Sequence, residues 1–316
     1  MRTPGELGLS EEPASAKPKD PPVSHLRAKL DAQVRALLAY EPGTRSGADP
    51  EDLHQMRVAV RRMRSVLKLS GDLLGGTAEG VRADLKWLGA ALGEVRDYDV
   101  LIGHLRETVA TFEAVDQPAA SRLVQLFVAE RATAKRRLNR VLGSARYATL
   151  LQSAAQLART PEHEPAVSDT GDPAAAPAPA GAGDLVTGLR KPYRKLRKAA
   201  AALPANPPDD DLHALRIHGK RLRYATELAG SAAKKKQSEQ LKALIRATKE
   251  LQTVLGDHQD AVVAADRMRG LLEGQDPAVA FIAGRIAERE LTRRTHARAV
   301  WPDTLDAVHS AAAPFL

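Results

Sequence analysis

LHQMRVAVRRMR at residues 53–64 recurs 159 positions later as LHALRIHGKRLR at residues 212–223. Five of the twelve aligned positions are identical: Leu53/Leu212, His54/His213, Arg57/Arg216, Arg62/Arg221 and Arg64/Arg223. Further matches follow at an offset of 163, including Gly93 with Gly256, and then at an offset of 158. Ordered matches with small changes of offset are typical of a repeat that keeps its helices and alters its loops. The sequence therefore predicts an internal duplication.

The composition predicts that both copies are helical. Aromatic residues make up only 3% of the 316 residues, and helix-favouring residue types dominate. Gly- and Pro-containing breaks divide each copy into four predicted helices. They lie near residues 23–41, 50–71, 78–113 and 117–157, and near 184–203, 208–229, 234–273 and 276–300. We predict an all-α fold of two tandem four-helix bundles.

The chain divides into four segments by composition. Residues 1–22 are predicted to be a disordered tail, because they lack a helical apolar period. Residues 23–159 form the first four-helix unit, and residues 184–316 form the second. Between them, residues 160–183 read as an acidic linker rich in Pro and Ala.

Charge and cysteine content restrict the class of protein. The net charge is +8, from 47 Lys and Arg against 39 acids, which favours an anionic partner. The absence of cysteine excludes disulfides and thiolate-bound metals. The first residues lack the apolar segment of a signal peptide, and no apolar run approaches the ~18 residues of a membrane span. We expect a cytoplasmic protein that uses no cofactor and does not associate with membranes.

The second predicted helix carries a basic stripe beside its apolar seam. Leu53, Met56, Val60, Met63 and Leu67 recur at alternating steps of three and four. The basic residues follow one position later, about 100° around the helix from the seam. A merely solvated charged face would instead lie opposite the seam. In the first copy they are His54, Arg57, Arg61, Arg64 and Lys68; in the second they are His213, Arg216, Lys220 and Arg223. A basic stripe at a core edge suits phosphate, which arginine binds through two parallel hydrogen bonds.

Other repeated residues have two possible roles. The histidines either contact an anion or form structural hydrogen bonds, and neither has the i+3 or i+4 partner of a metal site. Lys86, Gly93 and Asp97 share a helix face, as do Lys249, Gly256 and Asp260. The glycines suggest close approach by another helix or by a ligand, and the aspartates suggest ion pairs that orient stripe arginines. Further candidate anion-binding residues, which could equally form solvated faces, are Arg131, Lys135, Arg194, Arg197, Arg289 and Arg293.

These motifs resemble the CHAD family, the conserved histidine α-helical domain. The resemblance covers about residues 23–300 and rests on LHQMRVAVRRMRSVLKL, LKWLGAALGEVRDYDVL and LHALRIHGKRLRYATEL. It implies pseudo-twofold symmetry around a basic cavity, binding of inorganic polyphosphate and association with polyphosphate granules. The implied ligands are the stripe residues His54, Arg57, Arg61, Arg64, His213, Arg216, Lys220 and Arg223, together with Lys86 and Lys249.

The chain departs from that family in two respects. Many relatives carry a triphosphate-hydrolysing domain with a Glu-x-Glu-x-Lys motif, which this sequence lacks. DHQD at 257–260 also lacks the RDYD arrangement of 96–99, so the two half-sites are expected to differ in strength. We therefore expect a non-enzymatic polyphosphate-binding protein with no catalytic residue and no metal site. The alternatives are a nucleic-acid-binding protein, disfavoured by the scarcity of aromatics near the motifs, and an enzyme that acts on phosphoanhydrides.

Overall fold

The computed structural model describes residues 2–17, 20–159, 186–230, 235–271 and 276–315. Throughout these ranges the regular structure is helical and contains no strand, which confirms the predicted all-α class. The predicted linker, 160–183, lies outside the described residues. The α-helices are α1 Pro22–Ser46, α2 Pro50–Ser70, α3 Thr77–Val109, α4 Gln117–Leu142, α5 Ala145–Ala158, α6 Arg190–Ala201, α7 Asp209–Gly230, α8 Lys235–Gly270 and α9 Pro277–Ala312. None of the helices described has the combined length and apolarity that a bilayer span requires.

The predicted helix at 117–157 is two helices, so that prediction is wrong. The break falls at Gly143 and Ser144, between α4 and α5. Ser144 has an extended backbone, and its hydroxyl accepts a hydrogen bond from the Tyr147 N–H at 3.2 Å. A serine in this position satisfies one of the unpaired N–H groups at a helix start, so the sequence contains a local signal to begin a new helix.

Two prolines lie inside helices, and the helix ends predicted at residues 41 and 300 are wrong. Helix α1 continues through Pro42 and ends before Gly47, whose φ of 74° is the left-handed conformation of a helix C-terminus. Helix α9 continues through Pro302 to Ala312. Proline removes a hydrogen bond and crowds the preceding turn. Burial of the turns that follow, at Thr44 after Pro42 and around Val308 after Pro302, offsets that cost.

The prediction of a disordered tail is wrong for residues 2–17. Leu7 and Leu9 are buried in the same apolar cluster as α2, α3 and α5. The guanidinium of Arg35 on α1 donates to the carbonyls of Ser10, Glu11 and Glu12. These long-range contacts order the segment, although its composition lacks any periodic pattern.

The described residues group into two compact units. Unit 1 is drawn from 1–100 and 129–181, and unit 2 from 101–128 and 182–316. The sequence-based division assigned residues 101–128 to the first unit, whereas they group with the second. Their contacts with α9 explain this, because Asp116 pairs with Arg285 and Arg122 pairs with Asp276 at 2.8 Å.

The apolar seams predicted for the stripe helices are confirmed. On α2, the five seam residues from Leu53 to Leu67 are at most 4% exposed. On α7, Leu212, Leu215 and Leu222 are at most 1% exposed. Because both seams are buried, the residue that follows each seam position lies at the edge of the core, as the spacing predicts.

Candidate functional site

In unit 1, α2 and α3 pack antiparallel, with two glycines of α3 facing the stripe. A Cβ placed on Gly93 would lie 3.8 Å from Nε and Nη2 of Arg57. A Cβ on Gly89, one turn earlier, would lie 3.8 Å from Nη1 of Arg64 and 3.3 Å from Cγ1 of Val60. The guanidinium groups of Arg57 and Arg64 therefore lie against the α3 face that carries these glycines.

Unit 2 contains the same contact between α7 and α8. A Cβ on Gly256 would lie only 3.1 Å from Nη2 of Arg216, and 3.6 Å from its Cζ and Nε. Almost any side chain at this position would displace the guanidinium. The close approach that the recurring glycines predict is thus made by a stripe arginine of the neighbouring helix.

Several polar atoms of the stripes are buried but make no hydrogen bond. In the described part of unit 1, these atoms include Nδ1 of His54 and Nε of Arg64. In the described part of unit 2 they include Nε of Arg216 and Nε of Arg223. A buried donor without a partner costs about 1–3 kcal/mol, and more when it is charged. Because these atoms are closed to solvent, their side chains must turn before an anion along a stripe can supply the missing acceptors.

One stripe arginine is oriented by an aspartate, as the sequence predicts. Arg57 Nη2 lies 3.7 Å from Asp97 Oδ1 on α3. The two side chains are 39% and 60% exposed, so solvent screens the attraction and the pair stabilises the fold by less than about 1 kcal/mol. The ion pair orients the guanidinium of Arg57, and part of that guanidinium remains exposed to solvent.

His54 lies among cationic groups at the core edge. Burial lowers its pKa below the usual value of 6.5, and the nearby guanidinium of Arg96 lowers it further. Glu51 opposes this effect, while Arg61 and Arg57 add to it. The imidazole is therefore neutral near pH 7 while no anion is bound.

Arg96 is a site residue that the sequence analysis missed. It lies on α3 three residues after Gly93 and seven after Gly89, so the three residues share one helix face. This face packs against the stripe of α2. Arg96 is the first residue of the RDYD motif, but the motif alone does not show that its side chain lies beside His54. That follows only from the register of α2 against α3.

His213 has a different environment from His54. Its Nδ1 lies 2.7 Å from Oε1 of Gln259 on α8. An amide oxygen can only accept, so Nδ1 carries the proton in this arrangement and Nε2 is available to a ligand. The repeat aligns Gln259 with Arg96, so the residue beside the histidine is neutral in unit 2 and cationic in unit 1.

Arg131 and Lys135, also predicted to bind an anion, are held by protein groups. Arg131 pairs with Asp99, whose side chain is 6% exposed, and Lys135 donates to the Thr44 carbonyl. Burial and then Arg131 lower the pKa of the Lys135 ammonium, whereas Asp99 raises it. These contacts hold α4 against α1 and α3, so the structure does not bring the two residues into the stripe.

Arg289 and Arg293 contact the segment 101–128 within unit 2. Arg289 donates to the Thr111 hydroxyl at 2.7 Å. Arg293 lies 2.7 Å from Glu290, which is fully buried and also contacts His104. These contacts connect α9 to the end of α3.

The remaining predicted residues lie at exposed positions or on the stripe itself. Arg194 and Arg197 are exposed on α6, each directly after a buried residue, Tyr193 or Leu196. Lys86 and Lys249 are exposed at corresponding positions of α3 and α8. Lys220, Arg61 and Arg223 are partly buried on the stripes. No group of three or more side chains suited to a metal ion occurs among the residues described.

These observations define an all-α protein in which one helix of each unit carries a histidine and arginine stripe along the core edge. The particular family is the CHAD domain family, to which the chain belongs; the family profile matches residues 28–269.

Curated proteins with a similar sequence cover most of this chain. Two uncharacterized proteins from strains CDC 1551 / Oshkosh and ATCC 25618 / H37Rv of Mycobacterium tuberculosis are each 30% identical over 276 residues. The match covers 84% of this chain and 47% of theirs, so the chain spans about half the length of the curated relatives it matches.

Two solved structures have the same fold. The crystal structure of the CHAD domain from the plant Ricinus communis has a TM-score of 0.72 and 26% identity, covering 95% of this chain and 96% of that one. PptA from Streptomyces chartreusis has a TM-score of 0.62 and 22% identity, covering 91% and 100%.

Proposed function

We propose that this chain binds inorganic polyphosphate along the stripes of α2 and α7 and catalyses no reaction on it. The observation that carries the proposal is the set of buried stripe donors without hydrogen-bond partners, Nε of Arg64 and of Arg216 among them. Each lies at a core edge beside a glycine of the neighbouring helix, and at Gly256 the missing Cβ leaves room for the guanidinium. A donor in this state gains a hydrogen bond once its side chain turns toward a phosphate oxygen, which makes binding favourable.

The arrangement of the cations suits a linear polyanion. Stripe residues recur every three or four positions, so successive guanidinium and ammonium groups follow the helix axis at about 5–6 Å intervals. Inorganic polyphosphate presents charged oxygens at every unit of its chain and has no base or sugar to recognise. A site built from Arg and Lys with few aromatic residues therefore fits this polymer better than single-stranded nucleic acid, which aromatic side chains stack upon.

Binding without catalysis agrees with the residue types present. The sequence contains neither a Gly-rich phosphate loop of the Walker type nor the Glu-x-Glu-x-Lys motif. Asp97 on α3 pairs with Arg57, a role in orienting a cation rather than in binding a metal. We propose that the protein associates with polyphosphate granules through the same stripes.

A competition assay tests this proposal. Fluorescently labelled long-chain polyphosphate is bound to the full chain and displaced with unlabelled polyphosphate, single-stranded DNA or double-stranded DNA at one salt concentration. We expect polyphosphate to displace the label at the lowest concentration, with no phosphate released over time. Stronger displacement by DNA would support a nucleic-acid-binding protein, and steady phosphate release would support an enzyme.

Salt dependence supplies a second measurement. If about eight stripe cations are neutralised, log K should fall with log salt with a slope of about −5 to −6, at about 0.7 per charge for a single-stranded polyanion. A slope shallower than about −2 would mean that few cations take part, and would contradict binding along both stripes.

A further inference from the structure

We propose that the stripe of unit 1 contributes more of the polyphosphate affinity than the stripe of unit 2, because unit 2 has lost a cation at two aligned positions. Gln259 stands where unit 1 has Arg96, and Glu227 stands where unit 1 has Lys68. The inference rests on the proposed function and ranks its two half-sites.

The first difference lies beside the histidine. In unit 1, Arg96 adds a guanidinium to the end of the stripe at His54, on the α3 face that packs against α2. In unit 2, the corresponding residue, Gln259, hydrogen-bonds to Nδ1 of His213 at 2.7 Å. The glutamine accepts a hydrogen bond from the imidazole but offers no positive charge to a phosphate. Unit 1 therefore has one more phosphate-binding cation at this end.

The second difference lies at the other end of the stripe. Glu227 is one turn beyond Arg223 on α7, and its Oε1 lies 3.3 Å from the arginine Nε. The contact is an ion pair without hydrogen-bond geometry, since the Nε has no hydrogen-bond partner. The guanidinium also lies 5.1 Å from the centre of the Tyr224 ring. The Glu227 carboxylate therefore partly neutralises Arg223 and repels a phosphate that approaches it.

Both differences act in the same direction. Replacing Arg by Gln removes one positive charge, and replacing Lys by Glu changes the charge by two. Affinity for a polyanion follows the number of cations that neutralise it. Since α2 carries no acid between Leu53 and Leu69, no carboxylate within that stretch competes for the cations of the first stripe. The second stripe must first lose the Arg223–Glu227 contact.

A matched pair of variants ranks the half-sites. Arg57 and Arg216 are aligned, and each lies beside the corresponding glycine, so Arg57→Ala and Arg216→Ala make the same change in the two units. We expect Arg57→Ala to lower the affinity for long-chain polyphosphate about tenfold and Arg216→Ala roughly threefold, measured by isothermal titration calorimetry. Equal losses, or a larger loss for Arg216→Ala, would overturn the ranking.

A gain of affinity in unit 2 provides the sharper test, because loss of folding cannot mimic it. The double variant Gln259→Arg/Glu227→Lys restores the charges of unit 1, and we expect it to raise affinity about tenfold. The control Glu239→Lys makes the same charge change as Glu227→Lys, at a 72% exposed carboxylate near the start of α8. We expect the control to change affinity less than about twofold. A gain no larger than the control's would refute the inference.

The outcomes separate the inference from the proposed function. If the parent chain fails to bind polyphosphate, the proposed function fails. If the parent binds while the two alanine variants lose affinity equally, only the ranking fails. Far-UV circular dichroism and thermal unfolding of every variant show whether a loss reflects unfolding. If an alanine variant unfolds, the affinity of the double variant Gln259→Arg/Glu227→Lys decides the ranking. The double variant must have the same melting temperature as the parent.

Discussion

The three helix glycines that face stripe residues predict a graded response to alanine. At Gly93, a new Cβ would lie 3.8 Å from Arg57, which is an ordinary van der Waals contact. Alanine in a helix interior is about 1 kcal/mol more favourable than glycine. We therefore expect Gly93→Ala to raise the free energy of unfolding by about 1 kcal/mol, with affinity for polyphosphate changed less than about twofold.

The same substitution has different consequences at the other two positions. At Gly256, the Cβ would lie 3.1 Å from Arg216 Nη2, the far end of a flexible side chain that can move away. We expect Gly256→Ala to gain less than about 0.5 kcal/mol and to lower the affinity roughly threefold, because the guanidinium is displaced. At Gly89, the Cβ would lie 3.3 Å from Val60 Cγ1, which is buried and fixed. Overpacking there costs about 1–3 kcal/mol, so we expect Gly89→Ala to give a net loss.

Urea unfolding, followed by far-UV circular dichroism, measures the stability of the three variants against the parent, and calorimetry measures their affinity. The expected order of stability is Gly93→Ala, then Gly256→Ala, then Gly89→Ala. A destabilised Gly93→Ala protein, or an unchanged affinity in Gly256→Ala, would refute the reasoning from these Cβ distances.

Three further predictions concern protonation, an ion pair and the N-terminal segment. Burial and Arg96 lower the pKa of His54, so as the pH falls the histidine is protonated in the unfolded chain before it is protonated in the folded protein. The free energy of unfolding therefore decreases as the pH falls below about 6.5. His54→Gln should reduce this loss of stability in unfolding titrations between about pH 7 and pH 5. A bound polyanion favours the protonated imidazole, so the same variant should also take up fewer protons on binding polyphosphate, which calorimetry in two buffers of different ionisation enthalpy measures. Asp99→Asn leaves Arg131 without its charged partner and should lower the free energy of unfolding by about 2 kcal/mol; an unchanged urea midpoint would contradict the pairing. Leu7→Ala should cost about 2–4 kcal/mol in the same measurement, whereas a disordered tail would give no change.

The sequence predicted the features that depend on local periodicity. The three-four spacing on α2 located both its buried seam and the flanking stripe, and the recurring Gly93 and Gly256 indicated a close approach. These features could be derived because helical geometry alone fixes which residues share a face.

Features that depend on contacts between distant segments could not be derived. Arg96 joins the site through the register of two packed helices, and Leu7 enters the core although its own segment lacks a pattern. The contacts that hold Arg131 and Lys135 involve α1 and α3, so a run of basic residues on α4 gave no indication that they were already engaged. Residue type identified the cations, whereas tertiary packing decides which of them remain accessible to a ligand.

The grouping of residues 101–128 with unit 2 has a consequence for dividing the chain. Cutting between residues 159 and 186 would leave Asp116 and His104 on one fragment and their partners Arg285 and Glu290 on the other. The fragment with the buried Glu290 would keep Arg293 but lose His104, and Asp116 on the other fragment would lose Arg285. The two pieces are therefore natural candidates for a split-protein reporter, in which separately expressed fragments restore these ion pairs when they meet.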